Sequence, residues 1–241
     1  TEYRRMLQKW RDHGAITLAG YIIGFPADTY ESILRDVEFL KNELPLDFAE
    51  FFILTPLPGS KDHQQNYQQR VPMAADTNLY DTTHTTTKHP RMTSEELMKA
   101  YRYAWESFYS LEHCFTLIRR RKGPRRRLLF SLLIWFRSSI FLSDVHPLIG
   151  GFLRRKSRDE RRRGYAKEPA LLFYAVQIRD FASYVFGIIK IIWELWGLLR
   201  KAGRSEYSNY TDVSLEQEAK VRPLPSCLPA SLEPASTQLA G

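Results

Sequence analysis

The sequence predicts an α/β fold followed by a helical region, and three observations support this prediction. Two apolar segments, residues 15–25 and 47–56, have the composition of strands that are covered on both faces of a parallel sheet. Residues 30–43 lie between them and carry apolar side chains at helical spacing, which predicts a strand–helix–strand unit. Residues 93–118 show a second helical pattern behind a capping signal. The predicted architecture is therefore a parallel strand–helix–strand unit with helices after it.

Residues 1–13 are predicted to be the end of an amphipathic helix. Four apolar side chains recur there at a spacing of three or four and are expected to form one buried stripe: Tyr3, Met6, Leu7 and Trp10. Gly14 follows where a helical C-cap is expected.

Capping and turn residues predict the limits of the other elements. Asp28 or Thr29 is the expected N-cap of the helix over 30–43, and Pro45 ends it. Thr93 and Glu96 match a capping box at the start of the later helix.

The net charge of +8 is unevenly distributed along the 241 residues. Residues 1–118 carry 12 basic and 16 acidic side chains, residues 119–203 carry 20 and 6, and residues 204–241 carry 3 and 5. The composition excludes a collagen, a disulfide scaffold and a wholly disordered chain. The excess of positive charge therefore lies in residues 119–203, and any function inferred from it applies to that segment alone.

Cysteine and histidine spacing predicts no metal site within this chain. Cys114 and Cys227 are far apart, and neither belongs to a C-x-x-C pair. His84 and His89 are five residues apart, which does not place them together on one helical face.

The ends of the two predicted strands are the candidate ligand site. Gly20, Ile22 and Gly24 share one face of the first strand, and the glycines leave room for a flat group against the backbone. Ligands bind at the carboxyl ends of strands in parallel α/β folds, where Pro26 and the segment 54–59 follow. The alternative is that the glycines serve packing and the prolines only form turns. Glu50, near the start of its strand, is expected to lie away from the chemistry; the alternative is that it contacts substrate, if the face it shares with Phe52 and Leu54 looks into a barrel.

The segments GYIIGFPADTYESI and FFILTPLPGS resemble the fifth and sixth strands of radical S-adenosylmethionine (SAM) enzymes. The resemblance is closest to the branch with an N-terminal cobalamin-binding domain, and HPRMTSEELMKAYRYAWESFYS is similar to the helix that follows the barrel there. It implies a partial TIM-type barrel, the β5-α-β6 half, followed by a helical C-terminal region. Ile22 would support the adenine of SAM. The implied cofactor-binding residues are Gly20, Ile22, Gly24, Phe25, Pro26, Leu54, Thr55 and Pro56.

The family's C-x-x-x-C-x-x-C motif, which holds a [4Fe–4S] cluster, does not occur in this sequence, and no catalytic residue is identified. The expectation is therefore the C-terminal part of a longer enzyme that is not active alone. The ligands of the cluster and the cobalamin domain would lie outside this chain, and the partner would be the N-terminal half of the enzyme. The alternative is a cluster-free interaction module.

The sequence divides into four expected regions. They are a barrel part over 1–60, a connection and post-barrel helix over 61–118, a basic helical region over 119–203, and a disordered tail over 204–241.

The basic runs over 119–127 and 154–163 allow three interpretations: contacts with nucleic-acid phosphates, contacts with an anionic membrane surface, or solvated linkers. Tryptophan and other aromatic residues beside the runs favour a helix in the membrane interface, and Lys190 and Glu194 within the apolar segment 181–199 disfavour a membrane span. The alternative for these apolar segments is an ordinary buried helical core of a C-terminal domain. No pattern of a specific nucleic-acid-binding motif is present. The expected location is cytoplasmic, with peripheral attachment to the inner face of the membrane. A basic membrane-surface or RNA-binding protein remains the other alternative.

Overall fold

The computed structural model describes residues 2–144, 146–148, 157–159, 166–207 and 209–215. These residues form an α/β structure that is mostly helical, with one two-stranded parallel sheet. The elements are α1 (Glu2–Asp12), β1 (Leu18–Ile23), α2 (Tyr30–Asn42), β2 (Phe48–Ile53), α3 (Lys61–Gln68), α4 (Ser94–Phe108), α5 (Leu111–Arg119), α6 (Gly123–Ser143) and α7 (Ala170–Ala202). The α/β prediction is thus confirmed, whereas two strands by themselves do not show a barrel.

The predicted strand–helix–strand unit is present as β1, α2 and β2. The strands pair in parallel, with Gly20 opposite Glu50 and Ile22 opposite Phe52. Thr29 is the N-cap of α2, and its side chain and that of Ser32 form a reciprocal capping box. The apolar face of α2 is buried, as its spacing predicts. This unit fixes the carboxyl ends of both strands at one edge.

Aromatic side chains join α4 to β2. The ring of Phe51 lies 5.3 Å from that of Trp105 and 6.0 Å from that of Phe108, both in edge-to-face contact. The capping box predicted at Thr93 is confirmed. The single helix predicted over 93–118 is wrong, because the chain breaks between α4 and α5, where Ser110 caps a new helix. The hydroxyl of buried Tyr109 donates to the carbonyl of Ala49 at 2.7 Å, which ties the break to the sheet.

The stripe predicted on the first helix is not buried. Leu7 is buried, but Tyr3 is 74% exposed and Trp10 is 52% exposed. Polar contacts hold α1 instead, since the guanidinium of Arg4 forms an ion pair with Glu43 at 2.6 Å. The apolar side chains of Tyr3, Met6 and Trp10 are consequently exposed.

A buried ion pair anchors the first basic run at the amino ends of the strands. The Nε of Arg121 donates to Asp47 Oδ1 at 2.8 Å, and Asp47 is fully buried. The backbone N–H and the hydroxyl of Thr17 also donate to this carboxylate. Arg120, also buried, pairs with Asp212 at 2.7 Å. Part of this run therefore serves internal structure.

Helices α5, α6 and α7 pack together beside the sheet, with Leu129, Leu133 and Leu195 fully buried. Residues 205–207 and 209–215 belong to the predicted tail. Arg119 of α5 lies 3.7 Å from the ring centre of Tyr210, and the fully buried Ser214 accepts a hydrogen bond from Gln8 of α1 at 3.3 Å. Residues 216–241 lie outside the described residues.

His113 should make the protein less stable in acid. Burial lowers the pKa of His113 from 6.5 to about 4. The unfolded chain takes up this proton near pH 6.5 while the folded chain does not, so the stability that is present above that pH is lost as the pH falls towards 4. We expect His113→Gln to remove about 2 kcal/mol of the stability difference between pH 7 and pH 5, measured by urea unfolding. A His113→Gln variant whose stability depends on pH as steeply as that of the wild type would contradict the assignment.

Candidate functional site

Seven of the eight predicted site residues lie at the carboxyl ends of β1 and β2 or directly after them, and Gly20 lies in the middle of β1. The backbone N–H of Leu54 donates to the carbonyl of Ile23 at 2.8 Å, which extends the sheet contact past the strand ends. Gly24 lies directly against Leu54: a Cβ atom added to Gly24 would lie 3.9 Å from the Cβ atom of Leu54. The two segments therefore form one continuous edge.

The two faces of β1 differ in what covers them. Ala19, Tyr21 and Ile23 are half-buried or buried and pack against the core. On the other face Gly20 is exposed and Ile22 is 42% exposed. The face predicted to receive a ligand is therefore the open one.

The structure gives a reason for glycine at one of the two glycine positions on this face and not at the other. Gly24 has a φ of +100°, and an added Cβ would meet Leu97 at 3.4 Å, so the fold itself favours glycine there. Gly20 has no such backbone requirement, and an added Cβ would meet only the edge of the Phe52 ring at 3.4 Å, an ordinary contact distance. Glycine weakens a strand interior and often marks a close approach by a ligand. Gly20 is thus the glycine that packing leaves unexplained.

The loop after β1 is held in one conformation by hydrogen bonds from both sides. Asp28 Oδ2 accepts from the backbone N–H groups of Gly24 and Phe25 at 2.9 and 2.8 Å. His89 Nε2 lies 2.9 Å from the carbonyl of Phe25, and Arg91 donates to the carbonyl of Ala27 at 3.0 Å. The exposed residues Phe25 and Pro26 are thereby presented on a fixed loop.

The hydrogen bonds of His89 also define which ring nitrogen carries the proton. The backbone N–H groups of Arg91 and Met92 donate to Nδ1 at 3.1 Å each, so Nδ1 is the acceptor and Nε2–H donates to Phe25. Sequence reasoning considered His89 only as a metal ligand and missed this positioning role. His89 and Phe25 are 64 positions apart in the sequence, so no local pattern would have indicated the contact.

On the second strand end the hydroxyl of Thr55 donates to the carbonyl of Ile53 at 2.9 Å. Leu54 and Thr55 are half-buried and Pro56 is buried, so the segment after β2 packs against the protein beside the loop after β1. A site edged by Ile22, Phe25 and Leu54 is suited to a flat apolar group.

Glu50 lies closer to the site than its sequence position indicated. It stands opposite Gly20 in the register, is 3% exposed, and its Oε1 has no hydrogen-bond partner among the described residues. Burial raises the pKa of this carboxyl group. Two positions along the same face, the Phe52 ring stacks on His146 at 4.8 Å. The covered part of the face thus holds a buried carboxyl group whose Oε1 lacks a hydrogen-bond partner among the described residues.

The described residues contain no group of three histidine, cysteine or acidic side chains that could hold a metal ion. Burial raises the pKa of Cys114 to about 11, and its thiol donates to the carbonyl of Tyr109. Cys114 is therefore a structural thiol, and Cys227 lies outside the described residues.

The chain is similar to a protein of Pyrococcus horikoshii that is described as an uncharacterized methyltransferase, with 33% identity over 96 residues. The aligned stretch covers 40% of this chain and 21% of that protein. No protein-family model matches the chain, and no solved structure matches it significantly.

Proposed function

We propose that this chain forms the adenine side of the SAM site of a SAM-dependent enzyme of the radical SAM type, in the branch that also binds cobalamin. The observation that carries the proposal is the space at Gly20, which neither backbone strain nor packing explains. The similarity to a protein described as a methyltransferase is compatible with SAM-dependent chemistry.

The residues at the strand ends fit the adenosyl group of SAM. Gly20 leaves space against the backbone of β1, and Ile22 offers an exposed apolar side chain beside it. Phe25 and Pro26 would close one side through the loop that Asp28 and His89 hold, and Leu54, Thr55 and Pro56 would close the other. These residues bind and orient the adenosyl group and keep water from its apolar face.

SAM supplies an activated methyl group or, after one-electron reduction, a 5′-deoxyadenosyl radical that abstracts hydrogen from carbon. The described residues do not fit a [4Fe–4S] cluster, because they lack three clustered cysteines or other grouped ligands. In this proposal the ligands of the cluster and of cobalamin come from another part of the enzyme. The same proposal assigns residues 1–60 to the barrel and residues 61–118 to a connection and the post-barrel helix.

Two uncovered surfaces support a partner that completes the barrel. Within the described residues, β1 pairs on one side only, so its other edge has free backbone groups for a further strand. The exposed side chains of Tyr3, Met6 and Trp10 on α1 form an apolar face that also lacks a cover. The missing N-terminal half of the enzyme is the partner that this proposal assigns to both surfaces.

The test is SAM binding by Ile22→Asp, with Leu18→Asp as its matched control. Both residues lie on the open face of β1 and are 42% and 51% exposed, so neither substitution disturbs the core. We expect Ile22→Asp to weaken binding at least about tenfold, because the apolar contact with adenine is lost. Leu18→Asp, at the other end of the strand, should bind like the wild type in equilibrium dialysis. Equal binding by both variants, or no binding by the wild type, would contradict the proposal.

A further inference from the structure

Helix α7 has one face in the protein and the opposite face in solvent. Ile191, Leu195 and Ala202 are buried against the other helices, and Phe173 is buried at the other end of α7. Of the described helices, α7 is the one whose length and apolar composition would suit a membrane span. Only 11% of the most apolar stretch of α7 is buried inside the protein, so internal packing does not explain why the helix is apolar.

The solvent face of α7 is a continuous apolar stripe. Its members lie within an arc of roughly 140° opposite Ile191 when drawn on an ideal helix. They are Leu171, Tyr174, Ile178, Phe181, Phe186, Ile189, Ile192, Trp193 and Trp196. Trp193 is 79% exposed and Phe186 is 72% exposed. We call these nine residues the outer stripe.

Basic side chains run along the border of the outer stripe. Arg179, Lys190 and Lys201 recur every eleven residues, which is close to three helical turns, so they form a line along the helix. All three are exposed, although Arg179 also pairs with Asp180 and Lys201 also lies over the ring of Phe115. An apolar face bordered by cations and containing tryptophan is typical of helices that lie in the interface of an anionic bilayer.

The geometry of α7 favours lying in the interface over crossing the bilayer. Its 33 residues extend about 50 Å, whereas the hydrocarbon core is about 30 Å thick. Arg179, Lys190 and Glu194 interrupt the segment, and Glu194 lies 3.7 Å from Arg137 of the neighbouring helix. A spanning position would take these charges and the packed inner face into hydrocarbon.

We propose that the outer stripe of α7 docks this protein on the surface of an anionic lipid bilayer, with the helix parallel to the membrane plane. The apolar side chains enter the interface, and the bordering cations contact lipid phosphate and carboxylate groups. The exposed cations at the border of the outer stripe, Arg179, Lys190 and Lys201, complement such a surface. This inference does not depend on the SAM site.

The test is sedimentation with vesicles of phosphatidylcholine alone or mixed with phosphatidylserine. The wild-type chain should bind the anionic vesicles at least tenfold more strongly, and added salt should weaken the binding. The double variant Phe186→Glu and Trp193→Glu should lower this binding at least tenfold. Its matched control, Tyr3→Glu and Tyr67→Glu, alters two aromatic residues that are each 74% exposed elsewhere and should bind like the wild type.

A second pair of variants changes only basic residues and tests the contribution of the cations that border the outer stripe. Arg179→Gln with Lys190→Gln should reduce binding to anionic vesicles about tenfold, whereas Lys9→Gln with Lys61→Gln should have little effect. The proposal is overturned if anionic vesicles do not bind, if both lipid compositions bind equally, or if neither test variant differs from its control. A dimer or an RNA complex that depends on the outer stripe, without binding to vesicles, overturns it as well.

Discussion

Asp47→Ala should lower the free energy of unfolding by about 3–5 kcal/mol, since it removes one partner of a buried ion pair. Asp47 is fully buried and accepts hydrogen bonds from Arg121 and from Thr17, while Arg11 approaches to 3.9 Å. Without the carboxylate, the buried guanidinium of Arg121 is left without its charged partner. The chain segments joined there are the starts of both strands and the turn before α6, so the loss should affect the whole unit.

Glu43→Ala is the matched control for this prediction. Glu43 pairs with Arg4, but its side chain is 41% exposed, and exposed ion pairs contribute only about 0–1 kcal/mol. Urea unfolding followed by circular dichroism measures both variants. If Asp47→Ala costs no more than Glu43→Ala, the first basic run does not anchor the strands as the structure indicates.

Gly20→Val and Gly24→Val should differ in their effects on stability. At Gly20 the first atom of the added side chain, Cβ, would meet only the ring of Phe52 at an ordinary contact distance, and the position is exposed, so the stability should stay within about 1 kcal/mol of the wild type. The same side chain fills the space assigned to adenine, and SAM binding should fall more than tenfold. At Gly24, with φ at +100°, Val should cost about 1–3 kcal/mol through backbone strain.

Thermal unfolding and SAM binding measured on the same preparations separate the two roles. A stable Gly20→Val variant with wild-type affinity for SAM would show that the space at Gly20 is not the adenine site. A Gly20→Val variant as unstable as Gly24→Val would show that packing, and not a ligand, requires the glycine.

Local patterns predicted the elements that carry their own signals. They are the N-cap at Thr29, which was one of two candidates, the capping box at Thr93, the apolar face of α2 and the two apolar strands, and each is encoded within a few residues. The meeting of Gly24 with Leu54 followed as well, because the carboxyl ends of parallel strands share an edge.

Contacts between distant residues were beyond local patterns. The uncovered stripe of α1 looked buried because spacing describes which residues share a face and not what covers that face. His89 and Arg91 reach the loop after β1 from 64 positions away. The break between α4 and α5 lies where Tyr109 contacts Ala49. The helical spacing of apolar residues does not indicate this contact.

The basic segment illustrates the same limit in its charges. Arg120 and Arg121 look like members of a solvated run, yet both are buried and pair with Asp212 and Asp47. Other basic residues, such as Arg127 and Lys190, remain exposed. A charge count therefore overstates the surface that is available to an anionic partner and does not show where that surface lies.

The central claim, that the strand ends bind the adenosyl group of SAM, is tested most directly by mapping amide chemical shifts of the isotope-labelled protein. Titration with SAM, and separately with adenosine, should shift the backbone amides over residues 20–28 and 54–55, since both compounds carry adenine. Guanosine is the control and should leave these amides unchanged. Shifts confined to other parts of the protein, or no shifts at millimolar SAM, would contradict the claim.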